Sequence, residues 1–248
     1  MSDKNDKPVI IKKETMTRLL RDVKEIIRTP LTDNGIHYIH DDENMMKGYA
    51  MIIGQSDTPY YGGYYFFEIN YPYDYPHSPP VLLYSTNGET IRFNPNLYTN
   101  GKVCVSLLNT WRGDQWTSCQ TISTVLLTLC TILCKDPLLN EPGITRTHPD
   151  FKNYSKIIEF KNIDIAILDI ISKKQFVYKP FFDKFYSLVL ETFLQNKDKI
   201  YEFLNKKVDN LTSETEIEKI TTNMYNMSVV INYKSLMKRY KKICDDIP

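Results

Sequence analysis

Between residues 36 and 84 the chain offers four runs of strand length, Ile36–His40, Tyr49–Ile53, Tyr64–Asn70 and Val81–Tyr84, rich in Tyr, Phe, Ile and Val and broken by Gly, Pro and Asp. The gaps between them are shorter than the dozen or so residues that a crossover helix needs, so neighbouring runs pair antiparallel as a meander. Gly62-Gly63 marks a tight turn into the third run. Tyr71-Pro72-Tyr73-Asp74-Tyr75-Pro76 and Pro79-Pro80 cannot join a central ladder and form a rigid exposed connection before the fourth.

Helical spacing occupies the flanks. From Thr15 to Arg28, Leu19, Leu20, Val23, Ile26 and Ile27 fall at helical intervals, with Arg18, Arg21, Lys24 and Arg28 mostly on the other face and Pro30 as the stop. Thr121–Cys134 is apolar on nearly every side, as a helix covered by both a sheet and other helices would be. Tyr154–Lys174 carries a broad isoleucine-rich face, and Phe181–Leu194 with Lys199–Leu204 continue the helical pattern. Val208–Thr222 reads as a polar loop, and Val229–Ile243 as a last amphipathic helix carrying Lys238, Arg239, Lys241 and Lys242. One sheet with segregated helices defines an α+β fold. The expected division is a mobile charged tail at 1–14, a core at 15–175, and a helical extension packed on it at 176–248.

A net charge of +1 with 42% hydrophobic residues argues against a nucleic-acid surface. No apolar run approaches the roughly 20 residues that span a bilayer, and the first residues are polar where a secretory signal would be apolar. Cysteines at 104, 119, 130, 134 and 244 lack disulfide-framework spacing, which fits a reducing cytoplasmic or nuclear compartment, or a host cytoplasm for a viral source. Cys130 and Cys134 share a helix without the histidine or CxxC pair that would complete a tetrahedral metal site, so no metal is expected.

The richest stretch is Arg92–Gly143. It holds Asn94-Pro95-Asn96, then Cys104 eight residues beyond Asn96, then Trp111 and Trp116 ahead of the apolar helix. An Asn-Pro corner followed by a Gly- and Asn-rich turn suits a presented thiol. Val103-Cys104-Val105-Ser106-Leu107 is equally a short strand with a small buried hydrophobe, the usual fate of a free cysteine.

These intervals, together with Asp57-Thr58-Pro59-Tyr60-Tyr61-Gly62-Gly63 and Tyr75-Pro76-His77-Ser78-Pro79-Pro80 upstream, resemble the ubiquitin-conjugating enzymes from about Thr15 to Lys174. Asn109-Thr110-Trp111-Arg112-Gly113-Asp114-Gln115-Trp116, Leu139-Asn140-Glu141-Pro142-Gly143 and Asn232-Tyr233-Lys234-Ser235-Leu236-Met237 extend the resemblance to the Z-type branch, which carries a C-terminal helical extension of this kind. The resemblance implies the fold of that family and its chemistry. Ubiquitin, or a ubiquitin-like modifier, arrives from an activating enzyme as a thioester on Cys104 and passes to lysine amines of acceptor proteins, alone or with a ligase. ATP is consumed by the activating enzyme, so no cofactor is expected here, and the chain is expected to be a monomer. A non-catalytic binding module of the same fold is the alternative.

By the same resemblance, Asn96 matches the asparagine assigned to the oxyanion, with an Asx-turn role as the competing reading. Glu141 matches the acidic position that orients the incoming lysine, which is mostly protonated at neutral pH. Arg18, Arg21 and Lys24 would recruit the activating enzyme, and the loops with Tyr75, His77, Thr117 and Ser118 would face the ligase. His77 and Thr117-Ser118-Cys119 depart from the family's usual apolar residue and Ser-Pro-Ala. Asn94 stands where most members have a histidine, and is expected to replace its hydrogen bonds.

Overall fold

The computed structural model describes residues 11–88, 90–174, 177–210 and 217–247. Helix α1 (Lys13–Arg28) leads into strands β1 (Ile36–His40), β2 (Lys47–Ile53), β3 (Tyr64–Asn70) and β4 (Val81–Tyr84). They form one antiparallel sheet in the order β1-β2-β3-β4, the expected meander. Residues 1–10 of the expected tail lie outside the described residues, and Lys13 and Glu14 already belong to α1. Leu19, Val23 and Ile26 are buried as their spacing predicts, whereas Leu20 and Ile27 stay exposed.

Register decides what each face of the sheet meets. Ile52 opposite Tyr65 and Ala50 opposite Phe67 share one face. There Tyr65 meets the rings of Tyr60 and Phe93 edge-on. Met51 opposite Phe66 lies on the other face, where Phe66 stacks on Phe182 at 3.9 Å between ring centroids and Tyr49 on Phe181 at 4.8 Å. Both faces are therefore dry. Each buried aromatic removes about 150–250 Å² from water, so these rings dominate the packing.

After β4 come α2 (Ile122–Ile132) and α3 (Phe151–Lys161), which runs on into a wider π-helical stretch, Asn162–Asp169. At that junction Asn162 accepts from Tyr65 Oη at 2.6 Å and donates to the Tyr61 carbonyl at 2.9 Å. A Cβ on Gly63 would stand 1.9 Å from the Asn162 oxygen, so only glycine admits this approach.

The C-terminal part differs from expectation. A single 24-residue helix, α4 (Tyr186–Asp209), replaces the two predicted pieces. The predicted loop 208–222 supplies the end of α4 and a strand, β5 (Glu218–Thr222); its residues 211–216 lie outside the described ones. Strand β6 (Met227–Ile231) pairs with β5, and only then does α5 (Tyr233–Asp246) begin, four residues later than predicted. Arg239 on α5 donates to Asp164 at 2.7 Å and pairs with buried Asp169, which fastens α5 to the π-helical stretch. The boundary expected at 175 lies outside the described residues.

Candidate active site

The Asn94-Pro95-Asn96 corner and Cys104 form one hydrogen-bonded unit. The Cys104 amide donates to the Asn96 carbonyl at 2.8 Å, and the Asn96 side-chain amide donates back to the Cys104 carbonyl at 2.6 Å. Asn94 is fully buried. Its Nδ2 donates to Tyr60 Oη at 2.9 Å and to the Ile132 carbonyl at 2.8 Å, and its Oδ1 accepts from the Asn96 amide at 3.0 Å. Ile132 closes α2, where a carbonyl has no helical partner, and Asn140 donates to the same oxygen at 2.8 Å. Asparagine thus supplies two donors and an acceptor at the corner.

Among the described residues, Asn96 Oδ1 is buried and finds no donor. Its Nδ2 carries two hydrogens, of which one reaches Cys104 O. The Asx-turn that was the competing reading of Asn96 is made by Asn94, whose Oδ1 takes the Asn96 amide.

The presented thiol is corrected by the structure. Cys104 is 3% exposed, and its Sγ donates to the Thr110 carbonyl at 3.0 Å. Thr110 is pinned there because its hydroxyl accepts from the Val105 amide and donates toward the carbonyls of Val103 and Val105, each at 3.0 Å. Residues 111–115 beyond it are exposed, with Trp111 at 41%. Asn109 (φ 57°) and Gly113 (φ 130°) take left-handed backbone angles in this segment, and Gly113 lies against Ser106. A thiolate cannot make the bond to Thr110, so the nucleophilic form has to give it up.

Glu141 lies in the loop after α2. Its Oε2 accepts from Tyr225 Oη at 2.5 Å, a partner 84 positions away that sequence reasoning missed. Burial, and then Glu141 itself, pushes the Tyr225 hydroxyl above its usual range, which keeps it protonated as the donor.

A sequence profile of the family described as ubiquitin-conjugating enzyme matches residues 18–163. The chain belongs to that family. It is 41% identical to ubiquitin-conjugating enzyme E2 Z of Homo sapiens over 164 residues, 65% of this chain and 46% of the human protein. It is 38% identical to ubiquitin-conjugating enzyme E2 Z of Danio rerio over 197 residues, 78% of this chain and 58% of the fish protein. A third relative, at 36% over 176 residues, is the dual E2 ubiquitin-conjugating enzyme/E3 ubiquitin-protein ligase BIRC6 of Homo sapiens, of which 4% is covered. The chain spans about half the length of the E2 Z relatives.

The remaining residues expected to serve a ubiquitin-conjugating enzyme divide by exposure. Arg21 and Lys24 are exposed on α1, with Arg21 Nε 3.6 Å from Asp22. Arg18 does not stand free with them. It pairs with buried Asp22 at 2.7 Å, donates to the Gln120 carbonyl at 2.6 Å and to the Ser118 carbonyl, and lies over the Tyr75 ring. Tyr75 is fully buried, its hydroxyl donating to Asp22 at 2.7 Å, because a ring this large pairs its polar tip when packed inside. Both residues tie α1 to the two loops expected to face a ligase. His77, Thr117 and Ser118 are exposed on those loops. Trp116 is buried, and its Nε1 donates to the Pro76 carbonyl at 2.7 Å. Cys130 and Cys134 have separate partners, the Asn34 carbonyl at 3.6 Å and Asn140 at 4.0 Å, and burial pushes both thiols up.

Proposed function

We propose that this ubiquitin-conjugating enzyme accepts the C-terminal carboxyl of ubiquitin, or of a ubiquitin-like modifier, on Cys104. The thiolate attacks the modifier's thioester on an activating enzyme, whose thiolate leaves, and the carboxyl stays bound to Sγ. An acceptor lysine then attacks the carbonyl, loses a proton, and expels the Cys104 thiolate. The observation that carries this reading is the reciprocal pair of hydrogen bonds between Asn96 and Cys104. It ties the Asn96 amide, which has a second hydrogen, to the backbone of the nucleophile; in this reading that hydrogen meets the oxyanion, where one donor counts for about a hundredfold or more in rate. Arg21 and Lys24 are the basic residues offered to the activating enzyme, and His77, Thr117 and Ser118 those offered to a ligase. The protein acts as a cytoplasmic monomer without a cofactor of its own, its conjugating core ending near residue 175.

A second reading, a non-catalytic module of the same fold, draws on one observation: the 3% exposure of Cys104. Charging with activating enzyme, ATP and ubiquitin on non-reducing gels separates the two. A thiol-sensitive adduct that is lost in Cys104→Ala and kept in Cys119→Ala, with discharge to lysine slowed on the order of a hundredfold in Asn96→Ala, supports transfer. A wild type that stays uncharged with several activating enzymes leaves the module.

A further inference from the structure

The turn between β5 and β6, Met224–Asn226, reaches the loop that carries Glu141. Asp150, itself 5% exposed, accepts the Met224 amide at 2.9 Å and fixes the turn to the start of α3. Tyr225 takes left-handed backbone angles there, φ 61° and ψ 10°. Its hydroxyl holds Glu141, and its ring lies 4.8 Å from the Arg92 guanidinium carbon and meets Tyr154 edge-on at 6.0 Å. Arg92 is covered by Tyr98 at 3.4 Å and donates to the carbonyls of Asn94 at 3.2 Å and Pro95 at 2.6 Å. Contacts therefore run unbroken from the C-terminal turn through Arg92 to the corner that holds Cys104.

We propose that Tyr225 is a positioning residue for the transfer step. Its hydroxyl fixes one oxygen of the Glu141 carboxylate, and its ring, through Arg92, braces the Asn94-Pro95-Asn96 corner. The proposal rests on the acyl-transfer reading above. A glutamate on a loop samples several rotamers; anchoring Oε2 gives Oε1 a set direction toward an incoming amine. Misplacement by about 1 Å can cost on the order of a hundredfold in rate. The left-handed turn also supplies a control. Glycine takes these angles without the strain that a Cβ brings, so Tyr225→Gly deletes the side chain and leaves the turn itself able to form.

The test is single-turnover discharge of a preloaded ubiquitin thioester to free lysine, followed over lysine concentration, so that only transfer is read. Tyr225→Phe keeps the ring over Arg92 and removes the hydroxyl. The lysine concentration for half-maximal discharge should rise about tenfold, the scale of one hydrogen bond to a charged group. Tyr225→Gly removes the ring as well as the hydroxyl and should slow discharge further. On a Glu141→Gln background the Tyr225→Phe change should add little, because the two groups act as one unit. Discharge of Tyr225→Phe at the wild-type rate, or a loss that persists in full on the Glu141→Gln background, overturns the role of the tyrosine and leaves the carrier chemistry standing. A wild type that never forms the thioester overturns that chemistry and this proposal together.

Discussion

Two walls enclose Cys104, and they are built differently. On one side is the Asn94-Pro95-Asn96 corner, with Asn94 fully buried, its amide nitrogen bonded to Tyr60 and Ile132 from distant segments and its oxygen to the Asn96 amide. On the other is the exposed segment 109–115, held chiefly by two side chains: Thr110, and Asn109, which accepts the Trp116 amide at 2.9 Å. The first wall is fixed many times over; the second hangs on bonds worth about 1 kcal/mol each. Local opening takes place where buried contacts are few. The thiol is therefore reached from the side of Thr110, and the corner stays in place while it is.

The sharpest way to break this comparison is Asn94→Ala. It leaves the Asn96 amide without its acceptor, takes one of two donors from the Ile132 carbonyl and opens a void in the interior, and should cost about 2–3 kcal/mol, read as a lower urea midpoint. Thr110→Val should act on the other wall alone. Its expected cost is about 1.4 kcal/mol, equivalent to roughly tenfold faster alkylation of Cys104 by iodoacetamide under native conditions, followed by peptide mass spectrometry. If Asn94→Ala, still folded, opens the thiol as much as Thr110→Val does, the distinction between fixed and movable wall is lost.

The smallest expected effect concerns pH and neither wall. Burial holds His37 and His40 below the usual imidazole range, with Asp41 and Asp42 opposing it at His40. The unfolded chain takes up those protons near pH 6.5, the folded chain only at lower pH. Stability from these residues is thus complete above about pH 6.5 and is lost as pH falls through that range. The Tm should drop between pH 7.5 and 5.5, while Cys104 alkylation corrected for intrinsic thiol ionisation should not follow it.

Local pattern made the sheet legible. The strands at 36–40, 64–70 and 81–84 begin and end as their β-favouring runs do, and β2 starts two residues early. The corner was legible as a corner because Asn-Pro has few alternatives. Cover over Cys104 was not, since it depends on the carbonyl of a threonine six residues on, which that residue's own hydroxyl holds in place. Arg18 and Tyr75 looked like surface residues, one by helix periodicity and one by its proline-rich loop. Each is drawn inward by Asp22, a carboxylate that helical spacing alone does not bury. The β5–β6 hairpin escaped because Glu-Lys-Ile-Thr-Thr is weakly apolar and pays its way only through pairing with β6. With the hairpin missed, Tyr225 had no route to Glu141.

The dry second face of the sheet sets a clock on biosynthesis. Tyr64 donates its hydroxyl to the Val189 carbonyl, 125 positions later. Translation at about 5–20 residues per second delivers that partner roughly 6–25 s after the strand has left the ribosome. For that interval Tyr49, Met51 and Phe66 face water on a nascent sheet whose covering rings, Phe181 and Phe182, have not been made. Chaperone demand during synthesis should therefore peak before the C-terminal quarter of the chain emerges, and a chain stopped at residue 174 should aggregate.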